Sequence, residues 1–186
     1  MVTTTDTTDI VTQPKLEEHA QPSLKRWLKH FFYMPATKRF FSKQDQHAIA
    51  VAVEEAEHGH VGEIQVVIEG SLPSRSAYYQ DTLCRARQLF AELGVWDTEH
   101  NSGVLLYLNL CDHKVEIVID RGIKQATTQE VWDQICENII QQLKQRKYKN
   151  GVILGVKQIG EILNQYYDQK MDDLKNELGN KPIILG

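Results

Sequence analysis

The spacing of apolar positions changes period along the chain, and each change predicts an element. Between Lys43 and His58, Ile49, Ala52, Val53 and Ala56 recur at helical spacing; Ser42 with Asp45 forms a capping signature ahead of them, and Gly59 stops the helix. Residues 63–69 (EIQVVIE) read as a strand covered on both faces. After Pro73, Leu83, Ala86, Leu89, Phe90 and Leu93 predict one helix over 75–93, ended by Gly94. Residues 103–110 (GVLLYLNL) are an unbroken apolar run of strand length, and 114–119 (KVEIVI) are rich in β-branched residues, which predicts a hairpin turning at Cys111-Asp112-His113. Val131, Ile135, Ile139 and Leu143, with Trp132 beside them, predict a helix from Thr127 or Thr128 to about Arg146. YKNG at 148–151 reads as a turn, and 152–167 as a last helix facing inward through Ile153, Val156, Ile159 or Gly160, and Leu163. The tail reads as an extended arm whose Pro182-Ile-Ile-Leu patches an apolar groove.

This order has a topological consequence. A strand, helix and strand in succession form a crossover that makes the first two strands parallel, and the hairpin makes the third antiparallel. The resulting βαββ core puts the start of the first strand, the start of the second and the end of the third at one end of the sheet. His58, His60 and Glu63 therefore join residues 97–101 and Asp120-Arg121, while Asp112 and His113 lie at the far end.

That juxtaposition is the candidate site. Asp97, Glu99 and Asp120, with Asn101 as a neutral ligand, form an oxygen-rich set suited to a hard cation, Ca²⁺ or Mg²⁺. Arg121 is the expected anion-binding residue. Glu63 and His60 are expected to support the ligands from behind, together with Glu57. If the site is catalytic, Asp97 is the first candidate and His100 the acid/base group, since imidazole titrates near neutrality. A purely structural reading of the same residues has Asp97 or Thr98 capping the loop, Asn101 and Gly103 serving turn geometry, and Asp120 pairing with Arg121. His58 and His60 lack a cysteine or third histidine nearby, which disfavours zinc. Trp96 is expected to anchor the loop in the core. Nucleophilic chemistry lacks a GxSxG serine, and Cys111 lies at the other end.

Residues 23–43 carry six Lys or Arg and no acid, interleaved with Trp27, Leu28, Phe31, Phe32, Phe40 and Phe41. Trp27, Leu28 and Phe31 share one helical face, with Lys25, Arg26 and Lys29 nearer the other. Two readings stand: peripheral contact with an anionic membrane through residues 23–41, or, more simply, a helix docked on the domain with its bases solvated. Residues 1–22, rich in Thr and Asp, are expected to be disordered. Composition adds bounds. With 186 residues, 41% hydrophobic and 25% charged, the chain suits one domain over 42–170 with an arm at 171–186. A net charge of -4 argues against nucleic acid as a partner. Cys84, Cys111 and Cys136 form no CxxC pair and read as reduced thiols. Neither a secretory signal nor a stretch of membrane-span length is evident, so the expected location is cytoplasmic, at most peripheral to the inner membrane.

The ordered set of a GEI strand, a helix ending in LF and Gly, VWDTEHNSGVLLYL, KVEIVIDRG, a Trp-bearing helix and YKNGVILGVKQIGEIL resembles the TPM domain over about residues 43–170, and Val95–Gly122 with the preceding EHGHVGEI is similar to a proteobacterial branch. The family joins thylakoid-lumen phosphatase-like and photosystem II repair-like proteins with bacterial relatives. The resemblance implies an α/β/α sandwich around a small mixed sheet. It further implies either a divalent-cation- or ligand-binding accessory module acting on a protein partner, or a metal-assisted acid phosphatase at Asp97, Glu99, Asp120 and Arg121.

Overall fold

The computed structural model describes residues 21–33, 37–167 and 176–186. The tail expected to be disordered lies outside these residues for all but its last two positions, as does the start of the C-terminal arm. In chain order the elements are α1 (Leu24–Phe31), α2 (Thr37–Phe40), α3 (Lys43–Glu57), β1 (Glu63–Glu69), α4 (Ser74–Ala77), α5 (Thr82–Glu92), β2 (Gly103–Asn109), β3 (Lys114–Ile119), α6 (Arg121–Ala126), α7 (Gln129–Lys144), α8 (Tyr148–Tyr166) and β4 (Ile183–Leu185).

The sheet is mixed, in the order β3-β2-β1-β4. As the crossover requires, β1 pairs parallel with β2, Glu63 lying opposite Gly103, and β2 pairs antiparallel with β3, Val104 lying opposite Ile119. Alternation along the strands builds two cores. Ile64, Val66 and Ile68 of β1, with Val104, Leu106 and Leu108 of β2, pack against the inward stripes of α3, α7 and α8. On the other face, Val67, Leu105, Tyr107 and Val118 pack against Ala86, Leu89 and Phe90 of α5. The molecule is thus an α/β/α sandwich, with β1 and β2 buried along their whole length.

Local chemistry explains the ends. The α3 capping box is complete: the Ser42 hydroxyl accepts from the Asp45 N–H, and the Asp45 carboxylate accepts from the Ser42 N–H at 3.0 Å. Gly59 takes φ +91° just beyond that helix, a conformation L residues avoid. Gly160 brings α8 onto α3 so closely that an added Cβ would sit 2.8 Å from the Ala56 Cβ and 2.9 Å from its carbonyl oxygen.

Several expectations are corrected. The helix foreseen over 75–93 is two, because the Asp81 carboxylate accepts from the Cys84 N–H at 2.9 Å and starts α5 afresh after the turn at 78–80. YKNG is the first turn of α8, since the chain has already turned at Arg146 (φ 62°) and the Lys147 N–H donates back to the Gln142 carbonyl. The C-terminal arm does more than cover a groove: β4 extends the sheet, pairing parallel with β1 from Val67 opposite Ile183. Residues 121–126, unassigned from the sequence, form α6 with Asp120 at its N-cap. Trp96 lies on the surface at 53% exposure, its indole N–H reaching only the Ala91 carbonyl.

Candidate functional site

The register places Glu63, Gly103 and Asp120 at one end of the sheet, where the Asp120 N–H donates to the Gly103 carbonyl at 2.9 Å. The 97–101 loop above them is held by its own bonds. Ser102 N–H donates to the buried Thr98 hydroxyl oxygen at 2.9 Å, Ser102 Oγ donates to the Val61 carbonyl at 2.6 Å, and Asn101 turns the chain at φ 52°. Asp97 and Glu99 stand exposed on this loop, as does Arg121 on α6, and His100 is half-buried. Glu63 is engaged by the tail, its carboxylate accepting from the Glu177 and Leu178 N–H groups at 3.3 and 3.1 Å. His60 turns back on its own loop, where Nδ1 accepts from the Gly62 N–H, and burial lowers its pKa. The trio Asp97, Glu99 and Asp120 does not gather as one set. Among the described residues, the grouping of three or more His, Cys, Asp or Glu with ligand atoms within 4.8 Å of one another is elsewhere, at His30, Cys111 and Asp112.

Asp120 carries the unusual chemistry. One carboxylate oxygen caps α6 by accepting from the Arg121 N–H at 2.5 Å, and the other, Oδ2, is buried with no partner among the described residues. The Tyr167 hydroxyl is buried and unpartnered in the same way. The two are neighbours: burial raises the Tyr167 pKa to about 12, and the Asp120 charge adds to the effect. Burial also pushes the Asp120 carboxyl up, against the opposing pull of the Arg121 N–H and charge. Gly122 lies between these groups and the loop. A Cβ there would stand 2.6 Å from the Asn101 carbonyl oxygen, 3.2 Å from that of His100 and 3.2 Å from the Tyr167 hydroxyl. Glycine therefore lets the chain pass close to two carbonyl oxygens and a hydroxyl, with an underused carboxylate beside it. Oxygen donors of this kind match Ca²⁺ or Mg²⁺, so the residues fit the cation that the resemblance implied.

Glu57, behind this end of the sheet, accepts from the Ile64 N–H at 2.7 Å, and burial, reinforced by Glu63 and Glu54, raises its pKa to about 8. Because the folded-state value lies above the unfolded one, the folded protein holds an extra proton between about pH 4.5 and 8, and stability falls as pH rises through that window. Glu57→Gln keeps the acceptor and removes the charge. Urea unfolding is expected to show the variant on the order of 2 kcal/mol more stable than wild type at pH 9 and equal to it at pH 5.

At the far end, the His30–Cys111–Asp112 group is a clamp rather than a metal site. The Leu72 backbone N–H can only donate, so His30 Nδ1 accepts from it at 3.0 Å and the ring proton sits on Nε2, which donates to Asp112 at 3.0 Å. A ring nitrogen that bears this proton offers no lone pair to a metal. Lys29 adds a 2.7 Å bond to the same carboxylate. Burial would raise the Asp112 pKa, but the bonds from His30 and Lys29 outweigh it and hold the carboxyl well below its usual range. The Cys111 thiol is pushed up to about 11 by burial, so it stays protonated at neutral pH. An open cleft of about 560 Å³ at this end includes Phe31, Ser71 and Arg85, the last already engaged by Glu69.

Sequence reasoning singles out Asp120 but neither Tyr167 nor the clamp. Tyr167 looks like the end of an amphipathic stripe, and nothing local links position 30 to position 112.

Comparison with known proteins bears on the fold and family. No curated protein matches the chain. The BA42 protein of the psychrophilic bacterium Bizionia argentinensis, solved by NMR, is similar at 30% identity and a TM-score of 0.69, over 78% of this chain and 95% of that one. The N-terminal domain of a P. gingivalis protein, at 18% identity and a TM-score of 0.57 over 68% of this chain and 78% of that one, shares the fold. The sequence matches the TPM domain over residues 36–162, and with that match, the sandwich and the mixed sheet in agreement, the chain belongs to the TPM domain family.

Proposed function

We propose that this protein is a non-catalytic accessory module that binds a divalent cation, Ca²⁺ or Mg²⁺, at Asp120 and acts on a protein partner. One observation carries the reading: two buried orphan oxygens, Asp120 Oδ2 and Tyr167 Oη, beside Gly122, where the chain runs close to the His100 and Asn101 carbonyls. A buried polar atom without a partner costs about 1–3 kcal/mol, and a bound cation would satisfy both. Asp120 would supply the charge. The hydroxyl and carbonyls would supply neutral oxygens, and water the rest of the shell. Binding at this place would also brace the 97–101 loop, the exposed surface available to a partner. A metal-assisted phosphatase is less well supported, because Asp97, the first candidate for hydrolysis, stands exposed on the loop.

Isothermal titration with each ion tests this. Wild type is expected to bind Ca²⁺ or Mg²⁺, more weakly as pH falls through the raised Asp120 pKa, since a proton and the cation compete for one carboxylate. Asp120→Asn keeps a good helix cap while removing the charge, and should weaken binding by roughly tenfold or more without loss of the fold. Absence of heat with wild type, or equal affinity in the variant, would remove the cation from this site.

A further inference from the structure

A surface helix normally turns its apolar stripe inward. Helix α1 does the reverse. Its polar side holds it to the domain: Arg26 Nε donates to the Ala77 carbonyl at 2.8 Å, Arg26 Nη2 to the Tyr78 carbonyl at 2.9 Å, and His30 and Lys29 clamp Asp112. The Ser23 N–H adds a 3.0 Å bond to the Tyr78 carbonyl. With that side fixed, the apolar residues face solvent: Leu24 is 61% exposed, Leu28 40%, Phe31 55% and Phe32 72%. Their spacing of four, seven and eight residues from Leu24 makes one continuous stripe. Trp27 stacks on Phe31 at 5.0 Å, and Phe32 meets Phe31 edge-on at 5.1 Å, so the aromatic part is ordered. Lys25 borders the stripe as an exposed base, with Lys29 beside it already paired to Asp112, in a stretch of six bases and no acid within a chain of net charge -4.

From this geometry we infer that α1 is a peripheral membrane anchor that lies on an anionic lipid surface. The sequence reading left α1 between a membrane contact and a docked helix with solvated bases; the helix is docked, but through Arg26, Lys29 and His30, so these bases are bonded to the domain and the apolar side is outward. An exposed Leu/Phe stripe edged by lysines supplies both signals that interfacial binding needs, apolar insertion and attraction to acidic headgroups. The excess of bases over acids along residues 23–43 favours lipid over an apolar protein groove, whose rim would have to match that charge. The clamp at Asp112 acts as a fixed mount, holding the insertion face away from the body of the domain.

Co-sedimentation of the full chain with vesicles tests the anchor. Wild type is expected to pellet with phosphatidylcholine vesicles containing phosphatidylglycerol, to stay in the supernatant with pure phosphatidylcholine, and to release as salt rises. Leu24→Ser/Phe32→Ser alters only exposed side chains and should bind at least roughly tenfold more weakly at unchanged melting temperature. Lys25→Glu should weaken binding about fivefold or more. Wild type left in the supernatant with anionic vesicles, as a face made for a protein would leave it, overturns the proposal. So does equal pelleting of the serine variant.

Discussion

Gly103→Ala is expected to destabilise the domain by about 3 kcal/mol or more, and to leave it unfolded if the remaining stability is marginal. Gly103 opens β2 opposite Glu63 and accepts from the Asp120 N–H, so it joins all three strands of the βαββ core at the end that carries the candidate site. An alanine Cβ there would lie 1.9 Å from the Val95 carbonyl oxygen and 3.0 Å from its carbonyl carbon. The obstacle is backbone, which has no rotamer to escape into, and Val95 is itself fully buried. Relief would require the 95–102 loop to lift off the sheet, so the loss should appear in urea unfolding and, for any protein that stays folded, in weakened cation binding. Gly179→Ala is the control. Nothing lies within 4 Å of its added Cβ, and its effect should stay within about 0.5 kcal/mol. Similar stability for the two variants would contradict this account of β2.

Arg85→Ala is expected to cost about 3–5 kcal/mol by urea unfolding, because it strands a buried carboxylate. Glu69 is 2% exposed and accepts from Arg85 Nη2 at 3.0 Å and from Arg85 Nε at 3.2 Å. The Tyr107 hydroxyl donates to the same carboxylate at 2.5 Å, and Asn109 Nδ2 donates to the Tyr107 oxygen at 2.9 Å. These groups fill the α5 face of the sheet where apolar residues would otherwise pack. Adding Glu69→Gln to Arg85→Ala removes the uncompensated charge while leaving an acceptor for Tyr107, so the double variant should be more stable than the single one. A double variant no better than Arg85→Ala would mean that lost packing of the guanidinium, not the stranded charge, sets the cost.

Both predictions turn on contacts between residues that are not sequence neighbours, which a one-dimensional pattern does not hold. Nothing in EIQVVIE marks Glu69 as the partner of Arg85 on a helix that begins thirteen residues later. Nothing near His30 points to Asp112. The same limit explains the acidic loop. Asp97, Glu99 and Asp120 were correctly brought toward one end of the sheet by topology, yet an end of a sheet is wide, and exposed loop side chains need not converge. Only Asp120 is buried, because it alone directly follows a strand, bonded to Gly103 of β2, and caps a helix at once. The break at 78–80 was missed because Leu83, Ala86, Leu89 and Phe90 keep helical spacing whether or not the helix starts at residue 75. Asp81 has the chemistry of a helix cap, but the longer period runs through it.

What the sequence by itself determined is the set of elements that are long and strongly periodic: three strands, the capped α3, the cores of α5, α7 and α8, the parallel and antiparallel pairings, and the family. These follow from alternation, helical spacing and crossover geometry, all properties of neighbouring residues. The tertiary structure alone decided which polar groups meet, that a three-residue strand from the tail completes the sheet, and that α1 faces outward. A short edge strand has too few residues for a pattern, and the direction in which an amphipathic helix faces depends on which of its sides finds partners. Here the carbonyls of Ala77 and Tyr78 and the carboxylate of Asp112 bind the basic side, which turns the aromatic side to solvent.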